Sequence, residues 1–327
     1  MMIVTGGAGF IGSNLVKGLN AEGINEILVV DDLTDGRKYK NLMGASFSDY
    51  QDSQDFLNYI TANKTFARTI EAVFHQGACS TTTEWNGRYM MHNNYDYSKH
   101  LLRYCTMNCI PFIHASSAAV YGAGNVFQES SMNEAPLNIY GYSKYLFDQY
   151  VLRQSINIHS TVVGLRYFNV YGPREQHKGT MSSVAFHFMN QLHNTGTVKL
   201  FEGSDGYADG EQRRDFIHVD DIVRVNLWFM DKLGPRGIYN VGTGISRSFN
   251  DVAKTLIACH GSGTIEYIPF PEKLKSAYQS FTEADITRLR EAEYPYAFMT
   301  LEEGLAQYYT WMQKNHFSEK QSAELVI

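Results

Sequence analysis

Short apolar runs separated by segments of helical period set the rhythm of the first half of the chain. Met2-Ile3-Val4, Ile27-Leu28-Val29-Val30, Ala72-Val73-Phe74-His75, Phe112-Ile113-His114-Ala115 and Thr161-Val162-Val163-Gly164-Leu165-Arg166-Tyr167 read as strands. They are apolar without clean alternation, as strands covered on both faces are. Between them lie helical runs: one through Leu15, Val16 and Leu19, one from about Tyr89 to Cys109, and one that opens near Tyr140 and continues through Leu146, Phe147, Tyr150 and Val151. Strand and helix in alternation predict an α/β fold with a doubly wound parallel sheet.

After Tyr167 the rhythm loosens. The Gly172-Pro173 pair breaks regular structure, and Glu175 to Thr180 is a polar loop holding His177 and Lys178. A helix then runs through Phe186, His187 and Leu192. Leu200-Phe201-Glu202-Gly203-Ser204 opens a Gly/Asp-rich loop, Asp205 to Glu211, followed by Arg213-Arg214-Asp215. Phe216 to Val219 leads into a helix beginning at Asp220-Asp221, and Ile238-Tyr239-Asn240-Val241 is a further strand. The expected organisation is a dinucleotide-binding domain over 1–169 with a return segment at about 216–242. A smaller mixed α/β substrate domain takes 170–215 and 243–327, with a polar, frayed tail from about Ser318.

Composition narrows the class. With 44% hydrophobic and 19% charged residues in 327, the chain is globular with ample core. A net charge of −6 argues against a general nucleic-acid binder, though not against a local phosphate site. No signal peptide or membrane span is read, and Cys79, Cys105, Cys109 and Cys259 contain no Cys-x-x-Cys pair. The expectation is a cytoplasmic protein with reduced thiols and no metal site.

The chemistry begins at the first strand. Thr5-Gly6-Gly7-Ala8-Gly9-Phe10-Ile11-Gly12 lies between strand and helix and satisfies both Gly-x-x-Gly-x-x-Gly and Gly-x-Gly-x-x-Gly. Such glycines give a tight turn, close backbone approach to a pyrophosphate, and a helix N-terminus aimed at it. The second strand ends in Asp31-Asp32, at the spacing that places a carboxylate on an adenosine ribose. This combination predicts a Rossmann-type dinucleotide site. Asp31 favours NAD, whereas Arg37, Lys38 and Lys40 could neutralise the 2′-phosphate of NADP, so both cofactors stay open.

Further along, Gly77-Ala78 follows the third apolar run, and Ser116-Ser117 ends the fourth, where ligands of a parallel sheet sit. Either serine could instead cap a turn. Tyr140 and Lys144 share one helix face, one turn apart. With 22 tyrosines in the chain that spacing alone says little. Beside a dinucleotide site and a strand-end serine it describes an alcohol-oxidising unit. Tyr140 would take the hydroxyl proton, Ser117 would hold the oxygen, and Lys144 would hold the nicotinamide ribose and depress the tyrosine pKa.

These segments, with Arg166-Tyr167-Phe168-Asn169-Val170-Tyr171-Gly172-Pro173 and Val219-Asp220-Asp221, resemble the extended short-chain dehydrogenase/reductase superfamily over nearly the whole chain. Its dehydratase branch carries Asp-Glu just before Val-Tyr-Gly; Ala118 and Ala119 stand there and point to epimerase or reductase chemistry. Three longer strings are similar to the ADP-L-glycero-D-manno-heptose 6-epimerases: Gln76-Gly77-Ala78-Cys79-Ser80-Thr81-Thr82-Thr83-Glu84-Trp85, Pro173-Arg174-Glu175-Gln176-His177-Lys178-Gly179 and Lys199-Leu200-Phe201-Glu202-Gly203-Ser204.

That resemblance implies inversion at C6″ of an ADP-heptose, a homopentamer, and Lys178 as a second acid/base group. It implies cofactor contacts at Gly6, Gly9, Phe10, Ile11, Gly12, Asp31, Asp32, Lys38, Gln76 to Ser80, Asn93, Tyr140, Lys144, Val170 and Lys178. Substrate contacts carried over are Ser117, Asn169, Thr180, His187, Phe201, Glu202, Gly203, Ser204, Arg214 and Tyr278. The loop 205–212 exceeds the family pattern, which leaves Arg213 and Arg214 both open for the diphosphate. Another nucleotide-sugar epimerase, of the hexose 4-epimerase type, is the alternative within enzymes, and a non-catalytic dinucleotide sensor the alternative outside them.

Overall fold

The apolar runs become the interior of a sheet. The computed structural model describes residues 1–154, 160–232, 234–271 and 279–317. Tyr278 and the tail from Ser318 lie outside them. Twelve strands are present among the described residues: β1 (Met2–Thr5), β2 (Ile27–Asp31), β3 (Asp49–Asp52), β4 (Ala72–His75), β5 (Phe112–Ser117), β6 (Val162–Tyr167), β7 (Asn169–Tyr171), β8 (Thr197–Phe201), β9 (Arg213–His218), β10 (Arg236–Val241), β11 (Ser246–Ser248) and β12 (Thr264–Ile268).

Seven of them form one sheet in the order β10-β6-β5-β4-β1-β2-β3, every neighbouring pair parallel. The strand order reverses between β1 and β4, so the crevice at their carboxyl ends is the place where this architecture binds ligands. The edge strand β3 reads Asp-Tyr-Gln-Asp and is polar throughout. Covered on one side only, it needs no apolar run, and the apolar pattern therefore did not mark it.

The chain divides into two units. The first takes Met1–Tyr167, Ile222–Val241 and Asp285–Pro295. Its core packs Ile3, Val30, Phe56, Leu101, Phe112, Phe147 and Val162. Burying such a side chain is worth roughly 1.5–3 kcal/mol, enough collectively to fix the sheet register. The helix expected over Tyr89–Cys109 is broken into Gly87–Met91, a wider turn His92–Asp96 and Tyr97–Met107. It ends before Cys109, which has a left-handed φ of 54°.

The second unit takes the described parts of Phe168–Asp221, Gly242–Ala284 and Tyr296–Ile327. It holds a three-stranded sheet β11-β9-β7 and a two-stranded parallel pair β12-β8. Met189, Leu192, Val252, Leu256, Leu305, Tyr308 and Met312 form its core. The return to the first unit thus begins at Ile222 rather than 216, because β9 pairs with β7 and β11. Asp285–Pro295, expected in the smaller domain, belongs to the first unit: Asn240 donates to the Asp285 carbonyl at 3.0 Å, and Asp285 N–H to Phe127 at 3.2 Å.

No helix among the described residues is long and apolar enough to cross a membrane, and no group of three or more His, Cys, Asp or Glu there could hold a metal ion.

Candidate active site

The glycine turn is built for close approach. Gly6 has φ +66°, and a Cβ there would lie 2.6 Å from the Gly77 nitrogen on the neighbouring strand end. At Gly12 a Cβ would lie 2.1 Å from the Gly6 carbonyl oxygen. Only glycine lets this helix descend onto the turn. Gly9 N–H donates to Gly6 at 3.0 Å, and the helix Phe10–Ala21 starts without a side-chain cap, so its positive end is presented at the turn. Phe10 is buried and Ile11 partly so. A pyrophosphate fits this cradle.

Asp31, buried at the end of β2, is already engaged. Its carboxylate accepts from Ala8 N–H and Asp32 N–H, each at 2.7 Å, and from the Lys38 ammonium at 2.6 Å. It therefore ties the glycine turn to the carboxyl end of β2, with Lys38 beside it. Asp32 accepts from Thr34 N–H at 2.7 Å, and these Thr34 bonds hold its carboxyl below the usual range.

Beyond β4, Gln76 is held by Tyr167 (3.0 Å) and Asn226 (3.1 Å). The loop Gly77-Ala78-Cys79-Ser80 is clasped by Asn94, whose amide accepts from Cys79 N–H at 2.8 Å and donates to the Cys79 carbonyl at 2.9 Å. Asn93, the expected residue, instead donates to Tyr89 within its own helix. The wide turn His92–Asp96 changes the helical register here, and regular 3.6-residue spacing does not reveal it.

The helix Ile139–Gln154 meets the end of β5 residue by residue. Tyr140 lies near enough to Ser117 for the serine hydroxyl to draw its phenol pKa down. Lys144 donates to the Ala115 carbonyl at 2.9 Å, and Asp148 accepts from Ser116 Oγ at 2.8 Å. Residues i, i+4 and i+8 of one helix face thus meet three successive strand residues. Asp148 was not anticipated; its signal is its place two turns beyond Tyr140. Ser117 also accepts from Ala119 N–H at 3.2 Å, so it caps the next turn as well as facing Tyr140.

Burial pushes the Tyr140 phenol up and the Ser117 hydroxyl opposes it. Burial draws the Lys144 ammonium down to about 8, with Asp148 the main opposing influence. His75, bonded to Thr5 (2.6 Å) and Ser98 (2.7 Å), is brought to about 3 by burial and is a neutral structural residue.

In the second unit, Lys178 is partly buried, and burial lowers its ammonium pKa while Glu175 raises it. Thr180 and Asn169 are exposed, Val170 and His187 partly so. Asn169 accepts from Thr282 at 3.2 Å. The long loop after Ser204 folds back on the Phe201–Ser204 string: Gly203 N–H donates to Asp209 at 2.8 Å, while Gln212 donates to the Glu202 carbonyl (3.0 Å) and Ser204 Oγ (3.1 Å). Arg213 is turned to Ser246 by two bonds, whereas Arg214 is buried with its guanidinium over Phe249 at 5.7 Å.

A family model described as the NAD dependent epimerase/dehydratase family matches residues 2–242. Over 95% of this chain and 96% of the other, the structure is similar to the ADP-L-glycero-D-manno-heptose-6-epimerase of Helicobacter pylori, with 32% identity and a TM-score of 0.81. It is also similar to a UDP-N-acetylglucosamine 4-epimerase from Methanobrevibacter ruminantium (27% identity, 96% and 98% covered, TM-score 0.81). A third likeness is to a Thermus thermophilus UDP-glucose 4-epimerase in complex with NAD (25% identity, 96% and 99% covered, TM-score 0.77).

Proposed function

Because this chain belongs to the NAD dependent epimerase/dehydratase family, we propose that it inverts C6″ of ADP-D-glycero-D-manno-heptose by transient oxidation to a 6″-ketone. The product, the L-glycero epimer, would supply the heptose of a lipopolysaccharide inner core. The observation that carries the reading is the full-length likeness to the Helicobacter pylori heptose epimerase, 32% identical. The string around Lys178 supports it from the sequence side. The 4-epimerase likenesses favour the second reading, a UDP-hexose 4-epimerase.

Chemistry explains the redox route. C6″ has no adjacent carbonyl, so its C–H is not acidic, whereas a ketone is planar and can be reduced from either face. Gly6, Gly9, Gly12, Lys144 and Tyr140 would hold the nicotinamide cofactor, which when bound would supply reversible hydride chemistry at C6″. Two protein groups move the hydroxyl proton. Burial pushes the Tyr140 phenol up and the Lys178 ammonium down, which favours Tyr140 as the group that gives a proton and Lys178 as the group that takes one. In the forward direction Lys178 would take the hydroxyl proton and Tyr140 would protonate the ketone oxygen on reduction; the reverse reaction exchanges the roles. Ser117 would orient that oxygen, and Arg214 would bind the diphosphate in a fork.

The test is incubation with ADP-D-glycero-D-manno-heptose in deuterated water, followed by NMR. L-glycero product without deuterium at C6″ is expected. Failure to turn over this substrate, with turnover of a UDP-hexose, would move the assignment to the second reading; deuterium at C6″ would exclude the hydride route.

A further inference from the structure

Lys178 stands not in the polar loop expected but in a short 3₁₀ turn, Gln176–Met181, kinked at Gly179, and so short an element needs something to fix it. The residue that does so lies three positions earlier. Glu175 is fully buried, and its carboxylate accepts from Gly172 N–H at 3.4 Å, Ser183 N–H at 2.5 Å and Ser183 Oγ at 2.7 Å. Its backbone carbonyl accepts from Lys178 N–H at 3.0 Å and Ser182 Oγ at 2.9 Å. One residue therefore joins both ends of the segment 172–183 and holds Lys178 within it.

The backbone beside it is strained to suit. Arg174 adopts φ +72°, a left-handed conformation that a non-glycine side chain takes only when its surroundings hold it there. Burying a carboxylate is also unfavourable unless it is hydrogen-bonded and compensated. Both costs fall on the segment that carries Lys178.

We propose that Glu175 is the positioning residue of Lys178: its carboxylate locks both ends of the segment, its carbonyl holds the Lys178 backbone, and it places a buried negative charge three residues before the lysine. This rests on the reading of Lys178 as an acid/base group. Burial alone pushes Glu175 up and Lys178 down, and each opposes that push in the other. Of the other groups around the pair, Tyr308 from the helix Leu301–Met312 has its phenol pushed up by burial and by Glu175, and Asp220 acts on Arg174. Glu175 thus keeps Lys178 from falling so far that it could no longer return a proton.

The experiment reads Lys178 directly. The protein is reductively methylated with ¹³C-formaldehyde, and the Lys178 resonance is identified by its loss in Lys178→Arg. Its titration is then followed by NMR in the native chain, in Glu175→Gln and in Glu175→Asp. In Glu175→Gln the acid dissociation constant of Lys178 should rise by about tenfold, the size expected when a nearby opposite charge is removed. Glu175→Asp, which keeps the charge, should restore most of it. If Glu175→Gln does not fold, the native spectrum still decides: the Lys178 resonance should show a step as Glu175, pushed up by burial, takes up its proton on acidification. An unchanged Lys178 titration in folded Glu175→Gln, or no acid-side step in the native spectrum, overturns the proposal. Activity is a separate readout. A chain that fails on ADP-heptose yet shows the shift refutes the functional reading and leaves the Glu175–Lys178 pairing intact.

Discussion

At the scale of single residues, Lys144 shows how a site residue strains its own fold. Its pKa falls from 10.5 in the unfolded chain to about 8 in the folded one, chiefly by burial. Below pH 8 both states carry the proton, and the folded state bears a constant penalty on the order of 3 kcal/mol for the buried charge. Between pH 8 and 10.5 the unfolded chain binds more protons, so stability rises with pH across that window. We expect the melting temperature of nucleotide-free protein, measured against Lys144→Met, to climb relative to the variant from pH 8 to 10.5. A difference that stays flat would mean that Lys144 is not buried as a cation.

At the scale of elements, the unit that matters is the contact between the helix Ile139–Gln154 and the end of β5. Lys144 and Asp148 hold Ala115 and Ser116, and Tyr140 lies beside Ser117. Asp148 also accepts from Arg166 Nε at 2.9 Å, and Arg166 reaches Glu134 at 2.6 Å and Tyr121 at 3.1 Å. Both bonds fall on one carboxylate oxygen, Oδ2, so in Asp148→Asn the amide oxygen can still accept them, but the buried guanidinium loses half of its counter-charge. Removing the charged partner of a buried pair costs about 3–5 kcal/mol. We expect a melting temperature lower by several degrees and, because a neutral partner holds the helix to β5 more weakly, a kcat that falls more than KM changes. Thermal denaturation with steady-state kinetics checks both; loss of stability with unchanged kcat would limit Asp148 to a structural role. The sequence carried the two partners that such a motif names, Tyr140 and Lys144, and missed the third. Asp148 has no motif of its own, and its partners are 32 and 18 residues distant along the chain. Asn94 escaped for a different reason, the wide turn that breaks the helical period. Apolar strands such as β1, β4 and β5 were legible because burial on both faces leaves a continuous run; polar β3 was not.

At the scale of the whole molecule, the parallel sheet with its reversal at β1 and β4 is common to every member of this architecture, so fold cannot choose the cofactor. The choice falls to the ribose end, where Lys38 is paired with Asp31 at 2.6 Å. A bare carboxylate would repel a 2′-phosphate, but this one is compensated by an ammonium that is only 17% exposed. A 2′-phosphate arriving here meets a fixed cation, and a charge-assisted hydrogen bond is worth about 1.5–3 kcal/mol. NAD, with a hydroxyl in that place, gains little from Lys38 and can use Asp31 only by competing with it. We therefore propose NADP as the resident cofactor and expect it, rather than NAD, to be the nucleotide released on denaturation of the purified protein. Lys38→Ala should weaken NADP binding by roughly tenfold to a hundredfold, as that energy implies, while binding of NAD is unchanged or improves because Asp31 is freed for the ribose hydroxyls. Titration of nucleotide-free protein with each cofactor checks the pair of outcomes. NAD as the released nucleotide, with equal losses for both cofactors in the variant, would make Lys38 a brace for Asp31 alone.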